Sequence, residues 1–326
     1  MKVGVIGAGG MGRVHGSKYA QMPDVELLIW EPDQEKREGY AKSYSARPTE
    51  SFEALLDEAD AIDICIPTDF HHPVGLQALK AGKPTMIEKP LARTVQECRE
   101  LIAASEESGA LLVPAHVVRF FKEFRSAHEL IWMGKIGSPA SVRVRRGGKA
   151  PAGTGGWFQD HTRSGGVILD LAIHEIDWLL WTLGPATQVY ARSVAMGRRV
   201  EGAEFVGDYA LITISHASGC VSHIESTWLD PSGSRVTLEA AGSNGMIELD
   251  SRKLPHITAY LPGQPALYEW NRTPDDDPYY KQLRAFVLAS TGAAEAAVTA
   301  QEAMAAVELA EAAIKSAQTS EPVFLN

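Results

Sequence analysis

Three things that mark whole classes of protein are scarce in this chain. Cysteine is the first: Cys65, Cys98 and Cys220 are all there is in 326 residues. An odd number so widely spaced gives neither a disulfide framework nor the paired spacing of a zinc site, and a reducing, cytoplasmic setting is expected. Positive charge is the second. With 31 Lys and Arg against 41 Asp and Glu, the formal net charge is −10. There is no basic excess to neutralise phosphates, so no nucleic-acid partner is expected. The third is any long apolar run. No stretch approaches the roughly 20 apolar residues of a membrane span. Met1–Ile6 is apolar but is cut short by glycines, which is not how a signal peptide continues. What remains is the profile of a globular protein, with 45% hydrophobic and 22% charged residues. The length exceeds what one ordinary core holds, so two domains are expected.

The first half alternates apolar runs with helical periods. Val3–Ile6 reads as a buried strand, and Gly7-Ala8-Gly9-Gly10-Met11-Gly12 follows at once, ahead of a helix over 13–20. This is G-x-G-x-x-G in the strand–turn–helix setting that the dinucleotide fingerprint requires. Gly7 would make the tight turn, Gly9 would let the backbone approach a pyrophosphate, and Gly12 would let helix and strand pack closely. The helix N-terminus, with Gly10 and Met11, would face the phosphates. Val25–Trp30 reads as the second strand, ended by Glu31, nineteen positions after Gly12. An acid there accepts from ribose hydroxyls and repels a 2′-phosphate, which predicts NAD over NADP. Glu31 could also simply begin the loop Glu31-Pro32-Asp33, and Lys36 and Arg37 close behind leave NADP open.

Ala61–Ile66 reads as a further strand, closed by Pro67-Thr68-Asp69, and a helix opens at His71-His72-Pro73. Thr85-Met86-Ile87 is a short buried strand that breaks into Glu88-Lys89-Pro90. In an open α/β sheet, ligands bind just beyond the carboxyl ends of the strands. Glu88 and Lys89 are therefore either site residues or ordinary solvated loop charges. Thr94 and Glu97 form a capping box for a helix to about 108, and Leu111–Pro114 is a strand. Strands alternating with helices imply a doubly wound parallel sheet over residues 1–118.

These residues resemble the Gfo/Idh/MocA family, that of glucose–fructose oxidoreductase and inositol 2-dehydrogenase. The marks are the fingerprint with His15, Ile66-Pro67 followed by His71, Ala81-Gly82-Lys83-Pro84, and above all Glu88-Lys89-Pro90. The resemblance covers nearly the whole chain. It implies an NAD-binding Rossmann domain in which Pro67, Thr68, His71, Glu88 and Lys89 line the cofactor. It also implies that Lys89 lies beside nicotinamide and substrate. The family usually carries Asn where Thr68 stands.

The second domain, residues 119–326, is expected to be α+β. Arg119 could hold a substrate hydroxyl or carboxylate, or be an interdomain ion-pair partner. Residues 147–166 form a loop with seven glycines. Loops of that length are more often functional or disordered than plain connections. Trp157 and Asp160 would then be substrate-wall residues, unless the loop is merely mobile surface. Next, Gly165–Trp178 has a helical period that places Asp170, His174 and Asp177 at i, i+4 and i+7, on one face. Three polar groups on one face of an apolar helix need partners. A satisfied structural network, a metal site and acid–base catalysis all fit. No second ligand cluster supports a metal, so none is expected. The family resemblance implies catalysis, with an Asp and a His four residues apart joining the lysine of Glu-Lys-Pro: here Asp170, His174 and Lys89. From Gln188 the pattern turns to short strands joined by Ala217-Ser218-Gly219 and Asn244-Gly245, the signals of a large, mainly antiparallel open sheet. A wide sheet must cover its second face. The resemblance implies that a second subunit does so, as a homodimer or homotetramer, and that the terminal helix can pack back on the first domain.

The function implied is reversible oxidation of a secondary hydroxyl on a sugar, sugar derivative or inositol, with NAD as hydride acceptor. His174 would be the base, because an imidazole titrates near working pH. Asp170 would hold its tautomer or touch substrate, and Lys89 would stabilise the reacting oxygen. Two other readings stay open: a glycosidase that cycles bound NAD with no net redox change, and a sensor of NAD or sugar that catalyses nothing.

Overall fold

The first strand is built as a buried parallel strand must be. In the computed structural model, β1 (Lys2–Ile6) is apolar on both faces, and its last four residues are buried. The structure describes residues 1–151, 153–196, 207–269 and 276–325. After β1 come α1 (Gly10–Tyr19), β2 (Glu26–Trp30), α2 (Gln34–Tyr44), β3 (Arg47–Pro48), α3 (Phe52–Glu58), β4 (Ala61–Ile64), α4 (His71–Lys80), β5 (Thr85–Glu88), α5 (Val95–Ser108) and β6 (Leu112–Ala115). The six strands form one sheet in the order β3-β2-β1-β4-β5-β6, and every pair is parallel. The order reverses between β1 and β4, the switch point at which doubly wound sheets bind ligands.

Register then decides what meets there. Ile6 lies opposite both Trp30 and Ile64, Ile64 opposite Ile87, and Glu88 opposite Ala115. The residues that follow each strand end, Gly7, Glu31, Cys65 and Lys89, are thus set along one rim of the sheet. Helix ends are fixed locally. Thr94 and Glu97 make a reciprocal capping box on α5, and Gly109 ends it at φ 69°, a pair of signals that stabilises a helix by about 1 kcal/mol for the N-cap alone.

The second unit begins at Val118. It contains α6 (Lys122–Trp132), β7 (Pro139–Gly147), α7 (His161–Ser164), α8 (Ile173–Leu183), β8 (Ala186–Val194), β9 (Tyr209–His216), β10 (Val221–Thr227), β11 (Arg235–Gly242), β12 (Gly245–Asp250), β13 (Ile257–Tyr260) and β14 (Leu267–Glu269). Further along the chain are α9 (Pro278–Ser290), α10 (Ala300–Thr319) and β15 (Val323–Phe324). A nine-stranded sheet runs β14-β13-β12-β11-β7-β10-β9-β8-β15. It is antiparallel except for the central β10–β7 pair, which is parallel. Alternate residues are buried: Ala210, Ile212 and Ile214 of β9 and Ser222, Ile224 and Ser226 of β10 face the core with α8. Between them, Leu211, Thr213, His223 and Glu225 point the other way.

Residues 278–304 group with the first unit. The sequence reading placed everything after residue 118 in the second domain and let only a terminal helix pack back. The reason for the return is apolar. Leu283, Phe286 and Val287 of α9 complete the cluster that holds Val3, Val5, Tyr19 and Met22. Among the described residues no helix is long and apolar enough to cross a membrane.

Candidate active site

The fingerprint turn does what its glycines allow. Gly7 sits at φ +100°, and a Cβ there would lie 2.5 Å from the Cys65 carbonyl oxygen. A Cβ on Gly12 would lie 1.9 Å from the Gly7 carbonyl oxygen, so only glycine lets α1 start this close to β1. Gly9 and Gly10 differ: both are exposed, and a Cβ on either would meet nothing within 4 Å. That open backbone fronts the N-terminus of α1, which has neither a side-chain cap nor an acid in its first turn. Uncapped N–H groups, a positive helix end and free space are what an anion needs. Met11 follows them, half-buried.

Glu31 stands beyond β2 and braces this turn, since its Oε2 accepts from the Ala8 N–H at 2.9 Å. The two cations behind it are engaged elsewhere. Arg37 donates to the Glu31 carbonyl, and Lys36 pairs with Asp33 at 3.2 Å. Pro67 precedes a single turn of 3₁₀ helix over Thr68–Phe70 in which Thr68 is buried. His71 is also buried, with Nδ1 2.8 Å from the Pro90 carbonyl and Nε2 2.9 Å from the Ile66 carbonyl. It thereby ties the loop after β4 to the loop after β5. Burial pushes the imidazole below its ordinary range, and the hydrogen bonds to the two carbonyls oppose that shift only in part.

Glu88 is the last residue of β5 and is buried; Lys89, just past it, is half-buried, and the Lys89–Pro90 peptide is cis. Glu88 Oε2 accepts from the Lys89 N–H at 3.0 Å, and its Oε1 lies 3.2 Å from Nε2 of His15. Burial alone would raise this carboxyl, but contact with His15 and the charges of His15 and Lys89 outweigh it and hold it below the usual range.

In the second unit, the expected single helix over 165–178 is two pieces. Gly165 and Gly166 both have positive φ, a π-type turn spans Val167–Leu171, and α8 starts at Ile173. The Ala172 N–H bonds to the Val167 carbonyl, five residues back, at 2.9 Å. The extra residue in that turn breaks the 3.6 period on which the shared-face argument rested, so Asp170 belongs to the π turn and His174 and Asp177 to α8. Such turns are frequent at functional sites. Asp170 is buried and His174 half-buried. Asp177 takes a two-pronged contact from Arg119, Nε to Oδ2 at 2.9 Å and Nη2 to Oδ1 at 2.7 Å. Both side chains are buried, and the guanidinium also lies 5.2 Å from the centre of the Trp181 ring. Both ends of this ion pair lie within the second unit. Glu175, between the two polar positions, meets Arg146 of β7 at 2.7 Å, a link with no signal in the periodicity.

Trp157 stacks on Phe158 with ring centres 3.8 Å apart. Asp160 caps α7, accepting from the Thr162 N–H at 3.0 Å and from its hydroxyl at 2.7 Å. Those bonds hold its carboxyl below the usual range. The first unit thus brings together Gly7, Gly9, Gly10, Met11, Gly12, Glu31, Pro67, Thr68, His71, Glu88 and Lys89. The second holds Arg119, Trp157, Asp160, Asp170 and His174.

A doubly wound sheet with this turn at its switch point defines a dinucleotide-binding protein, here joined to a large open-sheet unit. Comparison with known proteins narrows the class. Residues 1–116 match the model described as the oxidoreductase family with the NAD-binding Rossmann fold, and residues 124–248 match the GFO/IDH/MocA C-terminal domain. The chain belongs to the Gfo/Idh/MocA oxidoreductase family. It is 27% identical to an inositol 2-dehydrogenase of Rhizobium meliloti, over 97% of this chain and 96% of that one. It is also 27% identical to a myo-inositol 2-dehydrogenase of Thermotoga maritima, over 100% and 98%. Among solved structures, GenD2 from gentamicin A biosynthesis, in complex with NAD, is similar at a TM-score of 0.86 and 28% identity, covering 100% of this chain and 96% of that one. A levoglucosan dehydrogenase in complex with NADH shares the fold at a TM-score of 0.91 and 21% identity, covering 100% and 99%.

Proposed function

We propose that this chain reversibly oxidises a secondary hydroxyl of a sugar, sugar derivative or inositol, with NAD as the preferred partner. The observation that carries the proposal is the placing of Lys89. It follows the strand end that lies in register, through Ile64 and Ile6, with the strand feeding the open glycine turn. A cation there stands where the nicotinamide end of a dinucleotide extends from the switch point. The names of the inositol dehydrogenase relatives support the substrate class.

Bound NAD supplies the two-electron acceptor. The chain's own residues do the rest. The exposed backbone at Gly9 and Gly10 and the N-terminus of α1 hold the pyrophosphate, and Glu31 accepts from the adenosine ribose. Pro67, Thr68, His71 and Glu88 shape the cofactor wall, His71 by joining two loops. Lys89 donates a hydrogen bond to the reacting oxygen and stabilises its negative charge. His174 takes the hydroxyl proton. Asp170 orients the imidazole or receives a substrate hydroxyl, while Trp157 and Asp160 bound the substrate and Arg119, buried and paired with Asp177, braces the helix that carries His174. The dinucleotide domain comprises residues 1–118 with the returning segment 278–304, and most of the remainder is the substrate and assembly domain. The outward face of the nine-stranded sheet, with Arg143 paired to Glu239 and Arg145 to Glu225, is the surface of a homo-oligomer.

The test is absorbance at the NADH band with purified protein and a panel of inositols, aldoses and amino-sugar derivatives, each with NAD and with NADP. Reduction of NAD by a polyol, faster than that of NADP, is the expected result. Lys89→Ala and His174→Ala are expected to lose about 10²–10³-fold in turnover while still binding NAD. Normal turnover in both variants defeats the assigned roles. Silence across the panel, with NAD tightly held, would point to redox-cycling glycoside cleavage.

A further inference from the structure

His15 projects from α1, one helical turn after the glycine turn, and is fully buried. Its Nδ1 lies 2.8 Å from Oδ2 of Asp63, which is itself fully buried on β4. Its Nε2 lies 3.2 Å from Oε1 of Glu88. Cys65 Sγ lies 3.2 Å from Nδ1 and 3.6 Å from Asp63 Oδ1. One imidazole therefore stands between two buried carboxylates, hydrogen-bonded to Asp63 and within ion-pair distance of Glu88, toward which Nε2 makes no well-aligned hydrogen bond. A neutral ring carries a single N–H and would present a lone pair to one of them, whereas a doubly protonated ring serves both.

We propose that His15 is a positioning residue for Lys89: an imidazolium clamped between Asp63 and Glu88 that ties the phosphate-facing helix to the strand end bearing the lysine. The proposal rests on the reading of Lys89 as catalytic. The chain of contacts is short. The clamp holds Glu88 ionised and still, and the other oxygen of Glu88 accepts from the Lys89 N–H at 3.0 Å. The other ionisable groups of the cluster act through these partners: Tyr19 of α1 and Tyr40 of α2 on Asp63 and Cys65, and Lys89 and His71 on Glu88. Tyr279 of α9 is 6.4 Å away, ring centre to ring centre.

The electrostatics agree. Burial alone would lower the His15 pKa, but the charges of Cys65 and Asp63 and hydrogen bonds to both carry it well above 6.5. Burial and Asp63 push the Cys65 thiol up, and the charge of His15 draws it down. Because the folded value is raised, the clamp is fully formed below about pH 6.5. It is lost only as pH climbs through the raised value.

Two experiments test this on the whole chain. The first needs no variant. With ¹⁵N-histidine label, one of the chain's ten histidines is expected to keep the shifts of a doubly protonated ring at about pH 8, where an ordinary imidazole is neutral. A full set of neutral rings overturns the proposal. The second compares pH profiles of kcat for His15→Gln with and without Glu88→Gln. Without the cation, burial raises the Glu88 pKa toward that of the base His174, so the acid limb is expected to move up and to steepen as a second protonation joins it. In the Glu88→Gln background, adding His15→Gln should leave the limb where it was. NAD affinity should change far less than kcat. A uniform loss with an unmoved limb, or a loss of NAD affinity that matches the loss of kcat, reduces His15 to a packing residue of α1. Full turnover in Lys89→Ala defeats the lysine reading instead and leaves the histidine spectrum as an independent result.

Discussion

Substituting alanine at two glycines three positions apart, about 4.5 Å along the helix, should give opposite phenotypes. Gly9 has φ −73° and ψ −163°, a conformation open to any residue, and its Cβ would meet nothing within 4 Å. Gly9→Ala should therefore fold with its stability changed by no more than about 0.5 kcal/mol. The new methyl occupies the space into which a pyrophosphate must come, so NAD affinity should fall about 10–100-fold, or about 1.4–2.8 kcal/mol. At Gly12 the methyl would sit 1.9 Å from the Gly7 carbonyl oxygen. Ordinary contact begins near 3.4 Å, so the helix must retreat from the strand, at a cost of about 1–3 kcal/mol or more. Thermal melts with and without NAD separate the two. At 100 times the wild-type Kd, NAD should stabilise the wild type by about 2.7 kcal/mol; a 100-fold weaker site leaves about 0.4 kcal/mol of that. Gly9→Ala should thus melt like wild type without NAD and lose most of the NAD-induced shift, while Gly12→Ala should melt early under both conditions. If Gly9→Ala keeps its full shift, the pyrophosphate does not approach this backbone and the assignment of the turn fails.

Two further outcomes follow from charge. Asp177→Asn leaves the buried Arg119 guanidinium without its carboxylate, a change that costs about 3–5 kcal/mol; urea unfolding of the intact chain should show it, and a loss below about 1 kcal/mol would mean the pair is solvated. Asp250 is held at about 2, chiefly by its hydrogen bond with Arg235, with Nη2 to Oδ2 at 2.7 Å. Its folded value lies below the unfolded one of about 3.9, so the pair stabilises above about pH 4 and that stability drains away as pH falls toward 2. Asp250→Asn should flatten the pH dependence of unfolding in that window, and an unchanged slope would show that other carboxylates dominate it.

Most of the first unit was legible because its information is local. Most strands of the parallel sheet are short, largely apolar runs (β3, the exposed pair Arg47–Pro48, is not), and the glycine turn, the Glu31 strand end and the Thr94–Glu97 capping box occupy a few consecutive residues each. The second sheet was legible only where neighbours in sequence pair in space. Asn244-Gly245 signalled a hairpin, and β11 and β12 do meet there, Gly242 opposite Gly245. Nothing local announces that β10 runs parallel beside β7, or that the two residues of β15 pair with β8. The π turn escaped for a related reason. A 3.6 period fitted across 165–178 averages over one inserted residue, and the Gly165-Gly166 pair before it was read as the end of a loop.

The charged residues inside apolar elements carry a different kind of information. Asp63 interrupts the buried run Ala61-Ile62-Asp63-Ile64, and Glu175 and Asp177 interrupt α8. The cost of an unpaired buried charge says that each must have a partner. Which partner is a tertiary matter, since His15 lies 48 positions from Asp63, Arg146 lies 29 from Glu175 and Arg119 lies 58 from Asp177. Buried pairs of this kind are close to neutral when intact and costly when broken. They therefore add little to the depth of the native state and much to the penalty for misplacing one element on another. In a sheet of interchangeable valines, leucines and isoleucines, apolar packing alone would tolerate small shifts of a helix on its strands. A histidine that must meet Asp63 on one strand and Glu88 on the next does not tolerate them, and the strand end it pins is the one that carries Lys89.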